Sequence, residues 1–134
     1  MLNLIVLCGI PGSGKTTISK QLTQDYNAVR HSFDELNLAK RRDLFPYIVR
    51  SLEANCNVVV DAPHTDKKTR IELLRAISHI DCKRTIIFMN TPFEECVRRN
   101  ALRHNPLPFF ILQSFYQTLQ IPTQDEGWDD IQHI

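Results

Sequence analysis

Eight residues close to the amino terminus have the types and the spacing of a phosphate-binding loop. The segment from Gly9 to Thr16 reads Gly-Ile-Pro-Gly-Ser-Gly-Lys-Thr and satisfies the pattern G-x-x-x-x-G-K-[ST]. Glycines let such a loop turn its backbone N–H groups toward phosphate oxygens, and the helix that follows adds the partial positive charge of its amino end. A plain glycine turn between a strand and a helix is the alternative. The residues predicted to bind the phosphates of a nucleotide are Gly12, Ser13, Gly14, Lys15, Thr16 and Thr17.

Two residues are candidates for holding Mg²⁺ beside these phosphates. The Thr16 hydroxyl offers the kind of oxygen that Mg²⁺ prefers, while Lys15 would place its ammonium against the β- and γ-phosphates. Asp61 follows the β-branched residues 58–60, and a P-loop protein often keeps at such a strand end an acid that holds the metal directly or through water. The alternative for Asp61 is a polar turn residue.

Three further residues are candidates for catalysing transfer to a hydroxyl. Asp34 follows the second predicted strand, where its carboxylate could accept the proton of an attacking hydroxyl, and its alternative role is to cap a helix. Arg99 and Arg103 are four residues apart and would share one face of a helix, from which both could close over a transferring phosphoryl group. A solvated basic helix face, paired with Glu94 and Glu95, is the alternative for the two arginines.

The other prominent charged residues are predicted to lie at the surface. Lys40, Arg41 and Arg42 are expected to form a solvated basic face. His64 is a lone histidine in a loop beyond Asp61, and such a residue is more often exposed than a ligand.

The elements that must position these residues alternate between strand and helix. Apolar or β-branched runs predict strands at 2–8, 28–33, 57–60 and 84–89, with a final edge strand at 127–134. Helices are predicted at 15–26, 34–55 with a break at Pro46, 65–80, 93–103 and 109–120. Because strands and helices alternate, with right-handed crossovers, the sequence predicts a three-layer α/β/α fold around a parallel sheet.

Length and composition limit the class of protein further. A chain of 134 residues with 43% hydrophobic residues predicts one domain over residues 1–134. The formal net charge of +1 gives no sign of the strongly basic surface of a dedicated nucleic-acid binder. Four separated cysteines without a C-x-x-C pair favour a reduced, cytoplasmic protein, and no apolar run approaches the roughly 20 residues that cross a bilayer.

Four segments together resemble the P-loop kinases of the polynucleotide 5′-hydroxyl kinase type, a group often described as an AAA-like ATP-binding domain. The resemblance rests on the glycine loop at 9–17, Ser-Phe-Asp-Glu at 32–35, Val-Val-Val-Asp-Ala at 58–62, and Thr91-Pro92 followed by Arg98-Arg99-Asn100 and Arg103. It implies a P-loop NTPase fold with a five-stranded parallel sheet of order 2-3-1-4-5. It also implies ATP and Mg²⁺ as cofactors, Asp34 as the base, and a lid around residues 92–108 that carries Arg99 and Arg103.

The activity implied by this resemblance is transfer of the ATP γ-phosphoryl group to a hydroxyl, with the 5′ end of DNA or RNA as one candidate acceptor. Asn37 departs from the pattern, since polynucleotide kinases of this type carry there an arginine that grips a substrate phosphate. A nucleoside or another small molecule therefore stays open as the acceptor. A nucleotide-binding regulatory module without phosphotransfer also stays open, and the sequence leaves the oligomeric state undetermined.

Overall fold

A single parallel sheet forms the centre of the molecule, whose computed structural model describes all 134 residues. Its strands are β1 (Asn3–Cys8), β2 (Val29–Ser32), β3 (Val58–Asp61), β4 (Lys83–Phe88) and β5 (Asp130–His133). Their order across the sheet is β2-β3-β1-β4-β5, and every neighbouring pair is parallel. The predicted order 2-3-1-4-5 is therefore confirmed, and the strand that ends at Asp61 lies beside the strand that leads into the P-loop.

Five α-helices accompany the strands. They are α1 (Lys15–Asp25), α2 (Phe45–Glu53), α3 (Lys67–Ala76), α4 (Phe93–Ala101) and α5 (Phe109–Thr118). Their starts follow local sequence signals. Asp66 caps α3 by accepting a hydrogen bond from the N–H of Thr69, Pro46 is the second residue of α2, and a proline directly precedes α4 and α5. None of these helices is long and apolar enough to span a membrane.

Helices cover both faces of the sheet. Along β1, Leu4 and Val6 belong to a large apolar cluster that includes residues of α2 and α3. Ile5 and Leu7 belong to a second cluster, against which Ile18 of α1 packs. Since successive side chains of a strand point to opposite faces, the two clusters lie on opposite sides of the sheet. The predicted three-layer α/β/α fold is confirmed.

The helix predicted over the first part of 34–55 does not form. The chain turns directly after β2, where the N–H of Asn37 donates to the carbonyl oxygen of Asp34 at 3.1 Å, and Arg41–Leu44 then forms a single 3₁₀ turn. Asn37 has a φ of 53°, a left-handed conformation that a regular helix cannot contain and that asparagine tolerates better than most residues. The region between Asp34 and α2 is therefore an ordered loop, which frees it to line a site.

Candidate active site

The loop between β1 and α1 leaves a row of backbone donors without partners. The N–H groups of Gly14, Lys15, Thr16 and Thr17 donate to no acceptor of the protein. Such groups at the start of an α-helix have no intrahelical acceptor, and together they can bind an anion. Gly12 and Gly14 have φ angles of 86° and 99°, which favour glycine. The loop has the conformation and the free donors that phosphate binding requires.

Lys15 lies inside this loop rather than in solvent. Its ammonium donates to the carbonyl oxygen of Ile10 at 3.0 Å, and the residue is only 8% exposed. Burial lowers the pKa of Lys15 to about 8, although the nearby carboxylate of Asp61 acts in the opposite direction. A polyphosphate in the loop would supply the negative charge that this buried ammonium lacks.

Asp61 is held at the end of β3 by side chains of α1 and β2. Its Oδ2 accepts hydrogen bonds from Ser19 Oγ at 3.0 Å and from Arg30 at 2.6 Å. Arg30 also donates to Ser19 Oγ at 2.8 Å and to Glu35 Oε1 at 2.9 Å. Asp61 is thus a buried, ion-paired carboxylate rather than an exposed turn residue. Arg30 was missed at the sequence level, because nothing in a four-residue strand shows that its side chain reaches the end of the next strand.

The two residues predicted for Mg²⁺ fit a metal that takes most of its ligands from phosphate and water. No group of three or more His, Cys, Asp or Glu side chains could hold a metal by itself. Both hydrogen bonds to the Asp61 carboxylate are accepted by Oδ2. Oδ1 accepts none, and it is not a fully buried atom. Oδ1 is therefore open to solvent, and the exposed Thr16 lines the same cleft. One or two side-chain oxygens together with substrate phosphates are the usual ligands of Mg²⁺ in kinases.

Asp34 brings a free carboxylate to this cleft. The residue is exposed, and its side chain forms no hydrogen bond or ion pair within the protein. Its neighbour Glu35 is instead paired with Arg30. The alternative role as a helix cap is wrong, because no helix begins after Asp34. A carboxylate in this state can accept a proton from a hydroxyl bound within hydrogen-bonding distance.

Arg99 lies against the P-loop. One of its terminal nitrogens donates to the carbonyl oxygen of Gly12 at 3.3 Å, and its Nε donates to Glu95 Oε1 at 3.1 Å. Arg98 also pairs with Glu95, through its Nε at 2.9 Å from Oε2. Hydrogen bonds from Arg98 and Arg99 lower the pKa of Glu95 to about 2. Arg98 therefore behaves as the alternative predicted, as a surface arginine paired with a glutamate. Arg99 makes such a pair too, but it also contacts the P-loop.

Arg103 reaches the cleft from beyond the end of α4. That helix ends at Ala101, so the prediction that Arg99 and Arg103 share one helix face is wrong. The chain turns because the side-chain amide of Asn100 donates to the carbonyl oxygen of Leu107 at 2.9 Å and accepts from its N–H at 3.1 Å. Both arginines nevertheless line the same cleft, and Arg103 forms no ion pair.

The residues predicted for the site lie around one cleft of about 1000 Å³. Every predicted site residue except Ser13 lines it. Ser13 is a buried residue of the loop. Its carbonyl oxygen accepts a hydrogen bond from Thr91 Oγ1 at 2.8 Å, and its hydroxyl has no partner. The lining also includes Lys40, Arg41 and Arg42. Lys40 and Arg42 are exposed, as predicted for a solvated face, while Arg41 is half-buried, and all three residues also line the cleft.

A buried ion pair supports the loop that follows β3. Arg70 donates to the two carboxylate oxygens of Glu126 at 2.8 and 2.9 Å, and to the carbonyl oxygen of His64 at 2.9 Å. His64 is fully buried rather than exposed as predicted, and burial lowers its pKa to about 4. The adjacent carbonyl oxygen of Pro63 accepts the N–H of Gly9 at 3.0 Å. The loop held by Arg70 therefore contacts the first residue of the P-loop.

Comparison with known proteins agrees with this arrangement. A family model described as an AAA domain matches residues 4–110. The L-seryl-tRNA(Sec) kinase of Methanococcus maripaludis is 24% identical over 142 residues, which cover 94% of this chain and 56% of that protein. A fungal RNA kinase superposes with a TM-score of 0.78 at 20% identity, covering 99% of this chain and 73% of the other. A gluconokinase from Sinorhizobium meliloti 1021 gives a TM-score of 0.73 at 18% identity, with 98% and 81% covered.

These matches differ in what they show. The chain spans little more than half the length of the curated relative, and identities below 25% to the solved structures show the fold alone. The family model covers most of the chain, and its range includes the P-loop, Asp34, Asp61, Arg99 and Arg103. The chain therefore belongs to this AAA domain family and is a P-loop kinase-like protein.

Proposed function

We propose that this chain is an ATP-dependent phosphotransferase that moves the γ-phosphoryl group of ATP to a hydroxyl group. One observation carries the proposal: the unpaired carboxylate of Asp34 shares a cleft with the free N–H groups of the P-loop and with Arg99 and Arg103. A module that only senses a nucleotide needs the phosphate donors. It does not need a free carboxylate and two cations around the position of a transferring group.

The proposed reaction is an in-line displacement at the γ-phosphorus. The acceptor oxygen attacks while Asp34 takes its proton, an O–P bond forms, the bond to the β–γ bridging oxygen breaks, and ADP leaves with the electron pair. Lys15, Arg99 and Arg103 would offset the charge on the phosphoryl oxygens. Thr16 and Asp61 are the residues that would hold Mg²⁺, whose charge would offset that of the phosphates.

Residues 92–108 are proposed to act as a lid. This segment carries Arg99, which contacts the P-loop carbonyl of Gly12, and Arg103, which has no fixed partner. Arg99 would then stay close to the phosphates, while Arg103 would be free to adopt its final position when the nucleotide is bound. Closure of such a segment excludes water and completes a site of this kind.

The acceptor is proposed to be a nucleic-acid 5′-hydroxyl, with a nucleoside or another small molecule as the alternative. Two of the proteins that this chain resembles are named for RNA or tRNA, the fungal RNA kinase and the L-seryl-tRNA(Sec) kinase. The gluconokinase is named for a sugar acid. All three proteins are named as kinases, so the names support phosphoryl transfer first and the nature of the acceptor only second.

Transfer from γ-labelled ATP with Mg²⁺ to a panel of acceptors tests the proposal. The panel holds DNA and RNA with 5′-hydroxyl ends, nucleosides and neutral sugars. Asp34→Asn should reduce transfer on the order of 100-fold or more, because it removes the base, while ATP binding stays unchanged. Asp81→Asn is the matched control, since Asp81 is exposed and lies outside the cleft. Binding of ATP without transfer to any acceptor would instead support the regulatory module.

A further inference from the structure

Three consecutive basic residues line a part of the cleft that the proposed chemistry does not use. Lys40, Arg41 and Arg42 follow Asp34 in the loop between β2 and α2. Two of the three cations assigned to the phosphoryl group are held at the P-loop, because Lys15 lies within it and Arg99 contacts its backbone. The cleft thus has positive charge on the loop that carries the proposed base as well as at the P-loop.

Arg41 is already fixed in this position. One of its terminal nitrogens donates to Asp66 Oδ1 at 2.9 Å, and its guanidinium lies 5.6 Å from the centre of the Phe115 ring. Asp66 is itself held, because its Oδ2 caps α3 through the N–H of Thr69 at 3.0 Å. Two of the three guanidinium nitrogens remain without a hydrogen bond. A guanidinium that is ordered in advance loses less entropy when it binds an anion.

Lys40 has no carboxylate partner. Arg42 pairs with Glu72 at 3.2 Å, whereas Lys40 forms no ion pair. Lys15 and Arg103 are the other cations of the cleft without one, and both are already assigned to the transferring phosphoryl group. Lys40 also directly precedes a 3₁₀ turn whose Leu44 is fully buried, which anchors this segment to the core. An unpaired ammonium on a segment that is anchored to the core, next in sequence to an ordered guanidinium that lines the same cleft, is suited to a phosphate rather than to a neutral group.

From this juxtaposition we propose that Lys40 and Arg41 form an anion subsite that selects an acceptor carrying a phosphate close to its reacting hydroxyl. The inference rests on the proposed function, because it assigns the acceptor side of that same reaction.

A second cavity indicates how such an acceptor continues. This cavity of about 470 Å³ shares Arg41 and Phe115 with the main cleft and extends along α5. An acceptor held at its phosphate by Arg41 therefore has space on the far side of that contact, with an aromatic ring on which a base could stack. A phosphodiester that continues beyond the phosphate, as at the 5′ end of a nucleic acid, fits this arrangement better than a free sugar phosphate.

The test compares acceptors that differ only in one charge. A dinucleotide with a 5′-hydroxyl and a normal phosphodiester is compared with the same dinucleotide carrying a neutral methylphosphonate, together with a hexose monophosphate. We expect the KM for the phosphodiester dinucleotide to be on the order of tenfold lower than the KM for the methylphosphonate dinucleotide, which is the effect of one charge-assisted contact. Lys40→Ala should remove that difference without changing the KM for ATP, and Lys40→Arg should restore it. Lys68→Ala, an exposed lysine of α3 outside both cavities, should behave as the native chain.

The outcomes separate the two proposals. Equal KM values for the charged and the neutral dinucleotide would overturn the anion subsite while leaving the kinase. So would a KM for the charged dinucleotide that is the same in Lys40→Ala as in the native chain. Direct binding of the dinucleotides, measured by competition with a fluorescent oligonucleotide, is the second readout. Binding that depends on Lys40 without any phosphoryl transfer would keep the subsite and overturn the kinase. Turnover of the hexose monophosphate but not of the dinucleotide would show that the acceptor is a small phosphorylated molecule, and it would overturn the hypothesis of a nucleic-acid acceptor.

Discussion

Replacement of Arg70 by methionine is expected to destabilise the protein strongly. The side chains of Arg70 and Glu126 are both fully buried. In the variant, the Glu126 carboxylate would keep the hydrogen bonds from Trp128 Nε1 and the N–H of Thr123, each at 3.0 Å, and a longer one from the Thr123 hydroxyl at 3.3 Å, but it would lose its only cation. Removing one partner of a buried ion pair typically costs about 3–5 kcal/mol, because the other charge stays buried without compensation. We expect a decrease of that size in the free energy of unfolding at neutral pH.

A neighbouring ion pair provides the matched control. Lys67 and Asp125 join α3 to the 3₁₀ turn Gln124–Glu126, as Arg70 and Glu126 do, with 2.8 Å between Lys67 Nζ and Asp125 Oδ2. Their side chains are 36% and 69% exposed, and solvent screens a pair of this kind. Lys67→Met should therefore leave the free energy of unfolding almost unchanged, although it too removes one cation from α3.

The pH dependence distinguishes lost charge from lost packing. Burial by itself would raise the pKa of Glu126, but hydrogen bonds from Arg70 and Trp128 lower it below its ordinary value. Such a carboxyl contributes stability that is complete above its unfolded pKa and is lost as the pH falls through its folded pKa. Without Arg70 the pKa of Glu126 should rise, because burial is then less opposed. The deficit of Arg70→Met should thus be largest near neutrality and should shrink as the pH falls, first through the raised pKa of Glu126 in the variant and then through its lowered pKa in the native chain.

Urea unfolding at several pH values measures this difference, since guanidinium would screen the charges. Trp128 is the single tryptophan of the chain and donates to Glu126, so its fluorescence reports on the site directly. Circular dichroism supplies an independent probe of the whole fold. A similar loss of stability in Arg70→Met and Lys67→Met would refute the reasoning, and so would a deficit in Arg70→Met that does not change with pH.

Two further substitutions test the geometry of the cleft. Gly12→Ala would place a Cβ 2.7 Å from the carbonyl oxygen of Cys96 at a φ of 86°, so we expect ATP binding measured by calorimetry to be lost or greatly weakened. Gly12→Ala that binds ATP as the native chain does would show that the loop tolerates a side chain. Arg30→Met would leave Asp61 buried with only one hydrogen bond, and we expect a cost of about 3 kcal/mol in urea unfolding. An unchanged unfolding midpoint would show that the pair contributes no net stability.

The parts of the candidate site whose positions the sequence indicates are those set by local chemistry. The P-loop is specified by consecutive residues whose conformation follows from glycine and from the start of α1. Asp61 and Asp34 were found because each lies at or just beyond the end of a strand, and the ends of parallel strands share one edge of the sheet. Strand order came from the family resemblance, since no local pattern specifies which strands are neighbours.

The parts that the sequence does not predict depend on contacts between distant residues. Arg41 reaches the cleft because it pairs with Asp66, which is 25 positions away, so no periodicity in the loop could indicate its direction. His64 was expected at the surface, but Arg70 of the next helix covers the loop that contains it. The turn after β2 replaced the predicted helix because of one left-handed asparagine, Asn37, which helix propensity alone does not reveal.

The same contacts explain why a buried ion pair lies so close to the P-loop. Burial of two charges is weak evidence for stability, because apolar residues of similar volume often stabilise a core equally well. An apolar residue in place of Arg70, however, could not donate to the carbonyl oxygen of His64 at 2.9 Å. That bond fixes the loop between Asp61 and α3, and the preceding carbonyl, of Pro63, accepts the N–H of Gly9. The directional hydrogen bonds of the guanidinium thus set the position of both strand ends that form the site, which is a role that packing alone cannot supply.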